Sequence, residues 1–140
     1  MKREASVSVL DKKRPSRAAD LRKAALEMLR LLQKSGRVEI YIIGDRRMRR
    51  LNKKFRKLDR PTNVLSFPEP SGFPRLSGDL RPLGEIFLDL DYIEKKEENV
   101  IKLLAHGILH LLGYDHKKRD DGAKMEKREK FLWRKMSLPD

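Results

Sequence analysis

Apolar residues recur along this chain with two spacings, and the switches between them mark out its elements. Val7, Val9 and Leu10 sit in a partly alternating stretch, so residues 6–10 are predicted to form a short strand. Pro15 and Ser16 mark a boundary. From Arg17 to Lys34 the positions Leu21, Ala24, Ala25, Met28, Leu29 and Leu32 follow helical spacing, and Ser35-Gly36 stops that helix. Val38 to Ile43 is β-branched and is the strongest strand signal. After Gly44, Asp45 is the predicted N-cap of a second helix reaching about Lys57, with Met48, Leu51, Asn52 and Phe55 as its inward stripe.

Pro61 breaks that pattern, and Asn63 to Phe67 is a short strand closed by Pro68. Residues 68–82 carry Pro68, Pro70, Gly72, Pro74, Gly78 and Pro82 and are predicted to be a long loop, of a length that tends to be functional. Leu83 to Leu88 is a further strand. One helix is predicted from near Asp91 to Leu112. In its second half Val100, Ile101, Leu103, Leu104, Ile108, Leu109, Leu111 and Leu112 are apolar nearly all round, as in a buried central helix. A final charged helix runs from about Asp121 to Met136, with Met125, Leu132 and Met136 facing in. The class is therefore α+β: a small mixed β-sheet of about four strands packed with about four to five helices around the central helix. Residues 1–140 read as a single domain, with no repeats or linker.

Charge and composition narrow the function. The net charge is +13, from 34 Lys and Arg against 21 Asp and Glu, a surplus that attracts polyanions such as nucleic acid. No long basic amphipathic helix with aromatic anchors points to a membrane surface. The 39% hydrophobic content is enough for a packed core. With no cysteine, thiolate metal sites and cysteine nucleophiles are excluded, and any metal must be held by nitrogen or oxygen. No stretch resembles a signal peptide or a membrane span, so a cytoplasmic protein is expected. Phosphate-binding loops, dinucleotide fingerprints and serine nucleophile elbows are absent.

All three histidines fall in one eleven-residue window, His106 to His116 (HGILHLLGYDH). His106 and His110 are one helical turn apart and share a face. His116 follows beyond Gly113, which can end the helix and turn the chain back. A lone histidine on an apolar helix is most often a core residue with a hydrogen-bond partner. Two on one face would each need such a partner, whereas a shared metal satisfies both. The H-x3-H-x5-H frame matches that of metzincin zinc proteases, glycine included, but the general-base glutamate is replaced by Gly107. One divalent ion held by His106, His110 and His116, with an open fourth position, is the expected cofactor; a three-histidine site accepts several such ions, and the frame favours zinc. No small-molecule cofactor is expected beyond it.

The histidine window resembles the signature of the YbeY family of bacterial metal-dependent endoribonucleases. Residues 52–68 (NKKFRKLDRPTNVLSFP) and 83–86 (LGEI) are similar to that family's second and third motifs. The resemblance implies single-strand-specific RNA cleavage, maturation of the 3′ end of small-subunit (16S) ribosomal RNA and ribosome quality control. It implies zinc as the metal, His106, His110 and His116 as its ligands, and Arg56 as the functional arginine. The implied partners are single-stranded ribosomal RNA and the ribosome or its small subunit.

Three neutral imidazoles leave the ion its full charge, so it can acidify water and polarise a phosphoryl oxygen. His110 and Arg56 are accordingly the candidate catalytic residues, with Arg56 able to grip two phosphate oxygens at once. Arg56 also fits a plain solvated charge, and only the motif match selects it. Eight of the thirteen residues from Asp45 to Lys57 are basic, and Lys117, Lys118 and Arg119 follow the last histidine. Lys53 and Lys117 are therefore candidate substrate contacts beside Arg56. Asp115 and Glu85 are candidate carboxylate partners for the ligand histidines, and fit a turn and a strand edge equally well. Phe55, Phe67, Phe73 and Tyr114 are the aromatic candidates for base stacking, with Phe55 and Phe67 fitting better as core. Two other readings stay open: a metallopeptidase or other metal-dependent hydrolase, and an RNA- or ribosome-binding module with a structural metal.

Overall fold

The structure, a computed structural model, describes residues 5–11, 14–70, 80–114 and 119–139. Among these, strands β1 (Ala5–Leu10), β2 (Gly36–Ile42), β3 (Val64–Pro68) and β4 (Pro82–Leu88) form one mixed sheet in the order β1-β2-β4-β3. β1 and β4 flank β2 in parallel, and β3 runs antiparallel along the outer edge of β4. The helices are α1 (Pro15–Leu31), α2 (Asp45–Arg56), α3 (Leu90–Lys95), α4 (Val100–Leu111) and α5 (Arg119–Lys135). The α+β class is as expected. No helix among the described residues is long and apolar enough to cross a membrane.

Strand alternation sorts side chains onto two faces. Val38, Ile40, Ile86, Leu88 and Val64 face the larger core, shared with α1, α3, α4 and α5. Leu65 on the other face joins Ile43 and Met48 of the smaller core, against which Tyr41, Phe67 and Phe87 pack. α4 buries Leu104, Ala105, Gly107, Ile108, Leu109 and Leu111 and packs on α1, α5, β3 and β4. Gly84 admits this close layering. A Cβ there would collide with the Phe67 carbonyl oxygen and press on Leu111, and its φ of +140° suits glycine.

Three sequence expectations are corrected. The helix predicted over 91–112 is two helices. Glu97 takes a left-handed φ of +55°, and its N–H and that of Glu98 donate back to Glu94 and Ile93, closing α3. Asn99 then starts α4, its side chain accepting from the N–H groups of Ile101 and Lys102 at 3.0 and 3.2 Å. Likewise α1 ends at Leu31 because Gln33 turns left-handed, with φ of +56°; Gly36 already belongs to β2. Gly44 caps α2 through its extended backbone, and Asp45 is the first helical residue rather than the cap.

Candidate metal centre

α4 presents its two histidines to one point. His106 and His110 face each other with Nε2 atoms 3.1 Å apart and ring planes at 75°. The spacing suits a shared cation: a tetrahedral zinc with bonds of about 2.0–2.1 Å holds two ligand nitrogens about 3.3 Å apart. The donor set, imidazole without thiolate, also suits zinc. Gly113 ends α4 as anticipated. Its φ is +99°, its N–H donates to His110, and that of Tyr114 reaches Leu109, which turns the chain sharply after the helix. His116, Asp115 and Lys117, and with them the third predicted ligand, lie outside the described residues, as does Phe73. Among the described residues no group of three or more potential donors forms a metal site.

Both rings line a cavity of about 300 Å³ whose walls come from four elements. Ser66 of β3, Lys102 of α4 and Glu129 and Trp133 of α5 contribute, and Arg56 closes it from the end of α2. Arg56 reaches it because the chain reverses immediately afterwards. Lys57 adopts a left-handed φ of +61°. Buried Asn52 donates to the Arg60 carbonyl at 2.8 Å, and Arg49 pairs with Asp59 at 2.7 Å. These contacts fold the segment after α2 back toward β3.

Glu129 escaped the sequence reading. Its carboxylate lies 3.9 Å from His106 Nδ1, the nitrogen on the far side of the ring from His110, and its side chain is only 12% exposed. A carboxylate behind a ring whose Nε2 is aimed at a shared point is the usual outer partner of a metal-binding histidine. The signal was available. Glu129 lies in register with Met125, Leu132 and Met136, an acidic residue on the inward stripe of α5. Trp133, over whose ring Lys102 Nζ sits at 4.3 Å, was also missed.

Two other candidates fall elsewhere. Glu85 pairs in register with Glu39 and Phe67, on the sheet face opposite α4. Strand alternation thus turns it away from the histidines, and Glu129 supplies the nearby carboxylate. Lys53 lies 3.9 Å from Asp59 and borders a different surface hollow, with Arg46, Arg49 and Arg50. Gly107, where metzincins carry their catalytic glutamate, faces the sheet. A Cβ there would meet Ser66 Oγ at 3.1 Å and Ile86 Cδ1 at 3.2 Å. The position is too tightly packed against β3 and β4 for a longer side chain, which argues against the peptidase reading.

The chain is similar to known proteins over most of its length. The model of the YbeY family, described as Endoribonuclease YbeY, matches residues 3–137. Endoribonuclease YbeY of Aquifex aeolicus is 38% identical over 109 residues, covering 71% of this chain and 70% of the relative. That of Wolbachia pipientis subsp. Culex pipiens is 36% identical over 138 residues, covering 88% of each. A protein of Thermotoga maritima, whose structure was solved in solution, aligns with a TM-score of 0.52 and 25% identity over 94% of this chain and 91% of that one.

Proposed function

The chain belongs to the endoribonuclease YbeY family and is a hydrolytic endoribonuclease, and from that premise we propose that it cuts single-stranded RNA using zinc held by His106, His110 and His116. The proposed biological substrate is the 3′ end of small-subunit (16S) ribosomal RNA. Ribosome quality control and association with the small subunit in the cytoplasm complete the proposal. The observation that carries the site assignment is the convergence of two imidazole Nε2 atoms, 3.1 Å apart, in a cavity that Arg56 also lines.

Zinc held there supplies Lewis acidity, both to a phosphoryl oxygen and to water, whose pKa it lowers to about 7. The protein's own groups do the rest. Arg56 carries a planar fork of donors and grips two non-bridging oxygens of the scissile phosphate, most strongly as charge builds on them. Glu129, its carboxylate 3.9 Å from His106 Nδ1, sits on the side of the ring where a carboxylate orients a metal-binding imidazole and leaves Nε2 to face the metal. Lys102, beside the histidines in the same wall, adds positive charge where the polyanion enters.

The test is direct. Purified protein with zinc is expected to cleave single-stranded RNA and to spare duplex RNA. His110→Ala, Arg56→Ala and chelation should each lower the rate by at least about a hundredfold. Full cleavage by metal-depleted protein would overturn the zinc assignment.

A further inference from the structure

The end of α2 carries an apolar surface that the core does not explain. Phe55 is 54% exposed and Leu58 41%, in the middle of a strongly basic segment. The sequence pattern placed Phe55 in the core, but more than half of the residue is open to solvent. Its ring packs on Phe67 at a tilt of 59°, with centroids 4.9 Å apart, and Lys54 Nζ reaches over it without burying it. Phe67 meets Phe87 edge-on at 5.7 Å, and Phe87 stacks on Tyr41 at 4.9 Å. Phe55 is thus the outermost ring of a four-membered aromatic row anchored in the sheet.

Its neighbours determine what it can receive. Arg56, the next residue, lines the histidine cavity, while Lys54 Nζ lies 5.3 Å from the Phe55 ring centroid. Along the edge strand β3, Ser66 faces the cavity and Phe67 supports Phe55 from the opposite face. Phe55 and the cavity therefore flank one strand edge, with Arg56 between them. An exposed ring set among cations, beside a phosphate-gripping arginine, has the make-up of a single-strand platform. Cations track the backbone, and the aromatic face takes a base of any identity.

We propose that Phe55 is a base-stacking subsite, holding a nucleobase next to the phosphate gripped by Arg56. The subsite requires an unpaired base and so gives the enzyme its preference for single strands. The proposal rests on the endoribonuclease reading for the identity of the polymer. It commits to RNA rather than a protein partner because the surrounding charge is complementary to phosphate.

The experiment is titration of the full, zinc-loaded chain with a short single-stranded 2′-O-methyl oligoribonucleotide, followed by fluorescence anisotropy and checked for intact length afterwards. Phe55→Ala should weaken binding about tenfold, the loss of about one stacked base, at every salt concentration. Phe55→Trp should bind within about twofold of the parent, and Phe55→Leu should bind like Phe55→Ala. Scanning a single abasic nucleotide along the oligomer should reveal one position where the parent loses affinity and Phe55→Ala loses no more. Parent-like binding by Phe55→Ala, as for a ring that serves a protein partner, overturns the proposal. So does Phe55→Leu matching Phe55→Trp, which would mean that bulk suffices. Cleavage assays on the same proteins separate the two readings. Normal cleavage with no effect of Phe55 rejects only the subsite, whereas Phe55-dependent binding without zinc-dependent cleavage supports the subsite and rejects the zinc-nuclease assignment.

Discussion

Single residues carry the chemistry, and Gly107 shows how tightly the fold constrains them. The histidine at either end of its turn faces the cavity, while a Cβ on Gly107 would press on Ser66 and Ile86 at 3.1–3.3 Å, closer than ordinary contact. Gly107→Glu, which would recreate the protease motif, would bury a charge against the sheet. We expect it to destabilise the protein by more than about 3 kcal/mol in urea unfolding and to create no peptidase activity. Glu129 is the complementary case. On the zinc reading, Glu129→Gln should weaken zinc about 10- to 100-fold in competition with a chelator while leaving the metal-free fold intact. Unchanged affinity would remove Glu129 from the site. Asp89 gives a third test. Its burial, reinforced by the facing Asp45, pushes its carboxyl up to about 7, against the pull of the Tyr92 N–H. The folded protein therefore keeps a proton that the unfolded chain, with its pKa of about 3.9, releases. Stability from this group is full below about pH 4 and declines as the pH rises to about 7. Asp89→Asn keeps the helix cap and should flatten that decline in urea midpoints measured across the range. At this scale the meeting of His106, His110 and Arg56 at one cavity was legible, because chemistry-bearing residue types stand out in a motif, while His116 lies outside the described residues. Glu129 was overlooked: its place on the inward stripe of α5 was visible, but the neighbour it would meet was not.

The elements were legible wherever local rules decide them. Four strands and most helix faces follow from spacing alone; Phe55, on the inward stripe of α2 by spacing but 54% exposed, is an exception. The break between α3 and α4 did not, for a definite reason: Ile93, Val100, Leu104, Ile108 and Leu111 continue one apolar stripe across it. Packing keeps that stripe on the core while Glu97 pays the left-handed backbone and Asn99 restarts the helix. Both devices can be tested. Asn99→Ala should cost about 1 kcal/mol, with Asn99→Asp close to neutral. Glu97→Gly should stabilise by about 0.5–1 kcal/mol, because glycine adopts that φ freely. Equal stability of Asn99→Ala and the parent would show that the break is held by packing alone. The order β1-β2-β4-β3 was not legible, since strand pairing joins residues far apart in sequence. That order decides the site, because it makes β3 an edge and lets α2 and α4 approach it from opposite faces.

At the scale of the whole molecule, the net charge of +13 matters through its placement. α2 concentrates cations between Asp45 and Lys57, and not all of them are available to RNA. Arg49 and Lys53 share Asp59, at 2.7 and 3.9 Å, whereas Arg56 borders the cavity. If about four cations of this segment meet phosphates, the logarithm of RNA affinity should fall with the logarithm of salt with a slope of about −3. Arg50→Ala and Lys54→Ala should each reduce that slope by about 0.7 between about 50 and 200 mM salt. Arg30→Ala should leave it unchanged, because Arg30 is paired with Glu27 on α1, away from the cavity. Phe55→Ala should lower affinity at every salt concentration without changing the slope, because stacking releases no counterions. A common slope for the Arg50, Lys54 and Arg30 variants would mean that the surplus charge acts as a diffuse field, and that α2 is not the path by which RNA reaches the histidines.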